Sequence, residues 1–203
     1  MRDGAGDRRG SRSGAVRMGL VGMIVAMAAA PLPARAADKA WADDARWVSV
    51  RVGTAGSGAK LASSGSFGYG FSYTWFLAKQ LAWSATVQHD VLERYGNASE
   101  IDVPFTVEFT RHFALSAVAK PYLGGGIGAV YHKTYGTGAD ESGFRQGIYL
   151  ATGGNAMVDA GSLIGVDLRL MLEQDTRSIN TTFPNSSAAS RNWSVKLSYS
   201  RVL

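Results

Sequence analysis

The chain has 203 residues, no cysteine, 46% hydrophobic content and a formal net charge of +5. The absence of cysteine excludes a disulfide scaffold, a thiolate metal site and a cysteine nucleophile together. The basic excess is local: Arg2, Arg8, Arg9, Arg12, Arg17 and Arg35 face only Asp3 and Asp7 within the first 36 residues. Residues 37–203 carry 15 basic and 14 acidic side chains, which leaves little case for a nucleic-acid partner. They also hold all 21 aromatic residues and 19 of the 25 glycines, a composition that argues against disorder and against a helical bundle.

Residues 1–17 are polar and arginine-bearing, and Met18–Ala30 (MGLVGMIVAMAAA) is an uncharged apolar run followed by PLPARA. Ala34-Arg35-Ala36 fits the small-x-small rule for signal cleavage, which predicts removal after Ala36. An anchoring helix is the competing reading, but the run has 13 residues where a helical span needs about 20. Translation from Met18 would leave the signal without its basic flank. Nothing after Ala36 reaches the length of a membrane helix, so any insertion of the exported chain has to use strands.

The rest of the chain alternates with period two. Val48, Val50 and Val52 alternate with Ser49, Arg51 and Gly53. Phe67, Tyr69, Phe71, Tyr73 and Trp75 alternate with Gly68, Gly70, Ser72 and Thr74. Leu81, Trp83, Ala85, Val87, His89 and Val91 are set against Ala82, Ser84, Thr86, Gln88 and Asp90. Ile101, Val103, Phe105, Val107 and Phe109 alternate with Asp102, Pro104, Thr106 and Glu108. Residues 121–133 and 144–154 read as two further strands whose facing is ambiguous, because glycines fall in both phases. Ile164, Val166, Leu168, Leu170 and Leu172 alternate with Gly165, Asp167, Arg169, Met171 and Glu173. The last segment sets Trp193, Val195, Leu197, Tyr199, Arg201 and Leu203 against Ser194, Lys196, Ser198 and Ser200. Only a strand sends successive side chains to opposite faces, so eight strands of about ten residues are expected, with no helix between them. Pro104 removes one ladder donor and predicts a bulge.

A soluble sandwich would bury the apolar faces and wet polar faces rich in Lys, Glu and Thr. Here the polar faces are mostly Ser, Gly, Thr and Ala with sparse charges of both signs, while the apolar faces are long and bulky. A small transmembrane barrel needs this inversion, with bulk toward lipid and small or paired polar groups inside. The expected fold is an all-β, eight-stranded antiparallel up-and-down barrel over 46–203, preceded by a short periplasmic segment at 37–45. Outer connections are expected at 56–65, 92–100, 133–143 and 174–191, and periplasmic ones at 76–80, 111–119 and 155–161. Interface aromatics then fall at two levels: Trp75, Trp83 and Phe109 near the periplasm, and Phe67, Tyr69, Tyr131 and Trp193 near the outside.

With the fifth-strand stretch Lys120-Pro-Tyr-Leu-Gly-Gly-Gly-Ile-Gly-Ala-Val-Tyr131 and an amphipathic strand at the carboxyl terminus, residues 46–203 resemble a known family. It is the small eight-stranded outer-membrane barrels of Gram-negative bacteria, of the OmpA-transmembrane-domain and OmpX type. The resemblance implies an outer-membrane location, contact with lipid and lipopolysaccharide, insertion by the barrel-assembly machinery through the last strand, and a monomer. Leu203 stands where that family usually ends in an aromatic residue, with Arg201 two before it.

The inward-facing charges expected are Arg51, Asp90, Asp102, Glu108, Asp167, Arg169, Glu173 and Lys196. Barrel closure sets the last strand beside the first, so Arg51, Asp167, Arg169 and Lys196 share three adjacent strands, facing Glu108 and Asp102. A salt-bridged structural plug is the expected role, and a gate or narrow ion path the competing one. His89 reads as lipid-facing near a rim, His112 as part of a periplasmic turn and His132 as a strand end. That spacing supports no zinc site, and no cofactor is expected. A second resemblance, to an outer-membrane lipid A deacylase, covers the strand layout and the Lys-Pro-Tyr stretch. Such an enzyme carries a His-x-Ser pair on its seventh strand, because an ester hydrolase needs a base beside its hydroxyl. Gly165–Gln174 has neither residue, and His89, His112 and His132 are followed two positions later by Val91, Ala114 and Thr134. The functional expectation is a non-enzymatic envelope barrel whose outer loops, above all 174–191, meet an extracellular ligand.

Overall fold

The computed structural model describes residues 39–57, 66–95, 98–136, 141–175 and 190–203. The expected signal segment, its cleavage site and most of the 174–191 connection lie outside the described residues. Eight strands follow in order: β1 (Arg46–Ser57), β2 (Phe67–Ala78), β3 (Leu81–Tyr95), β4 (Ala98–His112), β5 (Ala119–Tyr135), β6 (Glu141–Asp159), β7 (Ser162–Asp175) and β8 (Ser190–Val202). Each pairs antiparallel with its sequence neighbours, and β8 closes on β1. No helix among the described residues is long and apolar enough to cross a membrane.

The stagger fixes the width of the barrel. The partners of Trp47, followed round the wall through Thr74, Ser84, Glu108, Gly126, Tyr149, Met171 and Asn192, return to β1 at Ser57. That is a shift of ten residues over eight strands. It corresponds to a strand tilt of about 40° and a backbone radius of about 8 Å. Such an interior is wide enough for side chains and little else.

The strands run longer than the apolar alternation predicts, from 12 residues in β1 to 19 in β6. Backbone pairing continues past the point where one face stops being apolar, because a ladder needs only aligned N–H and C=O groups. The outer connection expected over 92–100 is therefore almost all strand, with Glu93 opposite Glu100 and Tyr95 opposite Ala98. The connection expected over 155–161 shrinks in the same way, to residues 160–161 between β6 and β7. Pro104 makes no bulge: β4 keeps one register against β5 throughout, with Pro104 opposite Val130. The irregularity in β3 lies instead between Val91 and Glu93.

Side-chain phase follows the alternation. Phe71, Phe105, Phe109, Leu150 and Leu170 are exposed on the outer wall, whereas Ser72, Thr86, Thr106 and Ser200 are buried within. The glycine-rich strands resolve as well: Tyr122, Val130 and His132 of β5 and Tyr149, Ala151 and Met157 of β6 are buried, while Leu123, Ile127, Ile148 and Leu150 are exposed.

Candidate functional site: a lumen filled by charge and closed by aromatics

All eight charged residues singled out from the alternation point into the barrel, each no more than 8% exposed. Arg169 on β7 is the hub. Its Nε donates to Asp167 Oδ1 at 2.7 Å and its Nη2 to Glu108 Oε1 at 2.8 Å, across the interior on β4. Arg51 on β1 adds ion pairs to Asp167 at 3.4 Å and Glu108 at 3.9 Å. Two tyrosines complete this layer: Tyr122 donates to Asp167 Oδ2 at 2.5 Å and Tyr149 to Glu108 Oε2 at 3.1 Å. The Arg169 guanidinium also lies 5.2 Å from the Tyr149 ring centroid. Two cations, two carboxylates and two phenols thus balance charge in one buried layer, which is the condition for tolerating buried charge, while Arg51 Nε and Nη1 make no hydrogen bond there.

Lys196 belongs to a separate pair. Its Nζ donates to Asp90 Oδ1 at 2.5 Å and also to Gln88 Oε1, both on β3. Gly68 on the intervening β2 leaves the space, since a Cβ there would stand 2.1 Å from Asp90 Oδ1 and 2.9 Å from Lys196 Cε. Gly153 does the same for Tyr122, whose hydroxyl lies 2.7 Å from where a Cβ would sit.

Nearer the end where β3 turns into β4 and β5 into β6, the remaining acids form a third cluster. Asn192 Nδ2 donates at 2.8 Å to both Asp102 Oδ2 and Glu173 Oε1. Arg145 meets Glu173 at 3.5 Å. His132 Nδ1 lies 2.6 Å from Asp102 Oδ1, and its Nε2 lies 3.7 Å from Glu100 and 3.3 Å from Thr134 Oγ1. His132 is therefore not an isolated strand end but an inward residue of β5. The glycines in both phases of that strand hid its facing.

The opposite end is apolar. Residues 39–45 turn back into the mouth, with Asp44 in the left-handed region at φ 65° and its N–H bonded to Phe76 O at 3.0 Å. Trp41 packs edge-on to Trp47 at 5.9 Å, and Trp47 Nε1 donates to Ala40 O at 2.7 Å. Phe76, Ala82, Met157 and Leu163 complete a buried cluster. His112 is not in a turn: it ends β4 and faces inward, its ring 5.8 Å from Trp47 and 4.9 Å from Phe76. The 37–45 stretch was expected only as a periplasmic lead-in, because a single Trp41 with no periodic partner gives no sequence signal of docking.

Internal space is correspondingly small. Among the described residues the lumen has cavities of about 40 and 20 Å³, the first bordered by Asp90, Asp102 and Arg169 and the second by Arg51, Glu108 and His112. Each has room for a water molecule or a few. Among the described residues no group of three or more His, Cys, Asp or Glu side chains is placed to hold a metal ion.

On the outer wall, Trp75, Trp83 and Phe109 are cross-strand neighbours at one level, with Trp75 and Trp83 centroids 6.3 Å apart. Toward the other end, Phe67 and Tyr69 lie 6.1 Å apart, Tyr131 lies 5.3 Å from Phe144, and Trp193 stands opposite Gly56 and Leu170. His89 shares the lipid-facing phase and stacks on Tyr69 at 5.2 Å.

No protein-family model matches the sequence, and no curated protein matches it. Solved structures do. The chain is similar to Neisserial surface protein A with a TM-score of 0.62 and 14% identity, over 77% of this chain and 96% of that one. It is similar to Ail, the attachment invasion locus protein of Yersinia pestis, with a TM-score of 0.54 and 10% identity, over 79% and 99% respectively. The N-terminal β-barrel domain of Pseudomonas aeruginosa OprF gives 0.53 and 10% over 77% and 97%. Closed eight-strand order, inverted facing and these likenesses agree: the protein has the fold of the small eight-stranded outer-membrane β-barrels.

Proposed function

We propose that the protein is a non-enzymatic barrel of the outer membrane, exported by cleavage after Ala36. Its lumen is a structural plug, and its outer connections, including 174–191, make the contacts. The observation that carries this reading is the double closure of the interior, by the Arg169 layer and by the Trp41–Trp47–Phe76 cluster. Cavities of about 40 and 20 Å³ on either side of Arg51, Glu108 and Arg169 offer no continuous path for solute. Outward-facing aromatics at two levels support a membrane setting. Ail, one of the similar structures, has been crystallised with the heparin analogue sucrose octasulfate, in keeping with a surface-binding role for this fold. Two measurements test the proposal. Planar bilayers containing the wild-type protein should show no steady conductance. Lipid A from cells with and without the gene should have the same mass.

One arrangement favours a hydrolytic reading. Asp102, His132 and Thr134 follow one another at 2.6 and 3.3 Å, the order of acid, base and hydroxyl in a nucleophilic triad. They face the lumen and not the lipid, so an acyl chain held in the membrane does not reach them. Loss of an acyl chain from lipid A that depends on Thr134 would establish this second reading.

A further inference from the structure

The outer wall is not uniform. On β5 and β6 it is protruding, with Ile127, Ile148 and Leu150 each at least 60% exposed. Across β8, β1, β2, β3 and β4 there is instead a depression of about 940 Å³. Register explains it. Two adjacent rows run round the wall, one through Tyr199, Val50, Phe71, Val87 and Phe105, the other through Arg201, Val48, Tyr73, Ala85 and Val107. The small residues Val48, Val50, Ala85 and Val87 make a floor between the rings of Phe71, Phe105 and Tyr199. The rows lie perpendicular to strands tilted by about 40°, so the trough climbs the wall obliquely.

Its lower end is cationic. Arg201 closes the second row, held by Nη1 against Ser162 Oγ at 2.8 Å and Asp159 Oδ1 at 3.6 Å. A guanidinium carries five N–H donors, so these contacts orient the fork without exhausting it. Arg46 lies on the adjacent strand, exposed, with its guanidinium 5.3 Å from the Trp75 ring. The backbone joins the two strand ends here, Leu203 N–H donating to Arg46 O at 2.9 Å. Nearby acids are Asp44, which accepts from Trp75 Nε1 at 3.3 Å, and Asp159.

We propose that this trough is a binding site for one anionic phospholipid of the periplasmic leaflet, with an acyl chain on the Val48–Ala85 floor and the phosphate between Arg46 and Arg201. Bulky rings beside small side chains give the chain a seat, and two arginines at its foot supply the complementary charge. The inference rests on the membrane reading above and adds a site and a ligand class to it.

Folded protein in mild detergent, titrated with phosphatidylglycerol or phosphatidylethanolamine and read by native mass spectrometry, tests it. The wild type should hold one phosphatidylglycerol in preference to phosphatidylethanolamine. Arg46→Gln and Arg201→Gln should each lower that preference by roughly fivefold. Ala85→Phe should reduce retention of both lipids by filling the floor, while Ile148→Phe on the far wall should leave retention unchanged. Equal retention of the two lipids by the wild type, or a preference that survives the double arginine variant, would overturn the site. Insertion into vesicles, read as a heat-dependent shift on a denaturing gel, separates the two levels. Insertion without selective retention refutes the lipid site alone, whereas failure to insert into any vesicle refutes the membrane reading as well.

Discussion

The two ends of the lumen fill the same narrow tube by different chemistry. Around Arg169 the interior is packed with ions, and apart from Arg169 to Asp167 within β7 the charged contacts run between strands far apart in sequence: β7 to β4, β1 to β7, β8 to β3. Around Trp47 it is packed with rings and aliphatic groups, and one strand end with its own leading turn supplies much of the contact. The ionic half depends on completeness. Removing one partner leaves a charge with neither water nor counter-ion, while removing a matched pair costs much less. The aromatic half depends on volume, and a smaller apolar residue recovers part of what an alanine loses.

The largest effect that separates these regimes is expected from Arg169→Leu. It leaves Asp167 and Glu108 with Arg51 as their one remaining cation, at 3.4 and 3.9 Å, and should cost about 3–5 kcal/mol, measured by urea unfolding of the protein in vesicles. Combining it with Asp167→Asn should recover a substantial part of the loss. A double variant no better than the single would remove the ionic account. In the aromatic half, Phe76→Ala should cost about 3 kcal/mol by the same measurement, with Phe76→Leu much milder. Equal losses for alanine and leucine would show that volume is not what matters there. Gly68→Ala should be smaller, about 1–3 kcal/mol, because the added methyl displaces Asp90 from Lys196. A Gly68→Ala/Asp90→Ala double variant tests whether that contact is the cause. Smallest of all, Asp159→Asn removes an exposed rim pair with Arg201 and should leave the unfolding midpoint unchanged.

How much of this could be read from residues alone varies by strand. In β2, β3, β4 and β7 the bulky apolar residues occupy one phase with almost no exception, and that phase is the one facing outward. Strands β5 and β6 gave no such reading. Gly124, Gly125, Gly126, Gly153 and Gly154 fall in both phases and carry no side chain to mark a face. The inward facing of Tyr122, Tyr149 and His132 is hidden with them, although they supply two of the hydrogen bonds in the central layer and two carboxylate contacts in the third cluster.

The sequence by itself determined the class of structure, the number of strands and the phase of the unambiguous ones. Alternation is a property of neighbouring residues, and with a fixed pleat it dictates which side each faces. Closure of the barrel through β8 and β1 follows from the same pattern, since an open edge would leave unpaired backbone groups in lipid. Tertiary structure alone decided where strands end, that Pro104 keeps its register, and which cation meets which acid. Those outcomes depend on the ten-residue stagger around the wall. That stagger brings Lys196 to Asp90 and not to Asp167, its cross-strand neighbour on β7. It is the sum of eight pairings, and no single stretch of the chain encodes it.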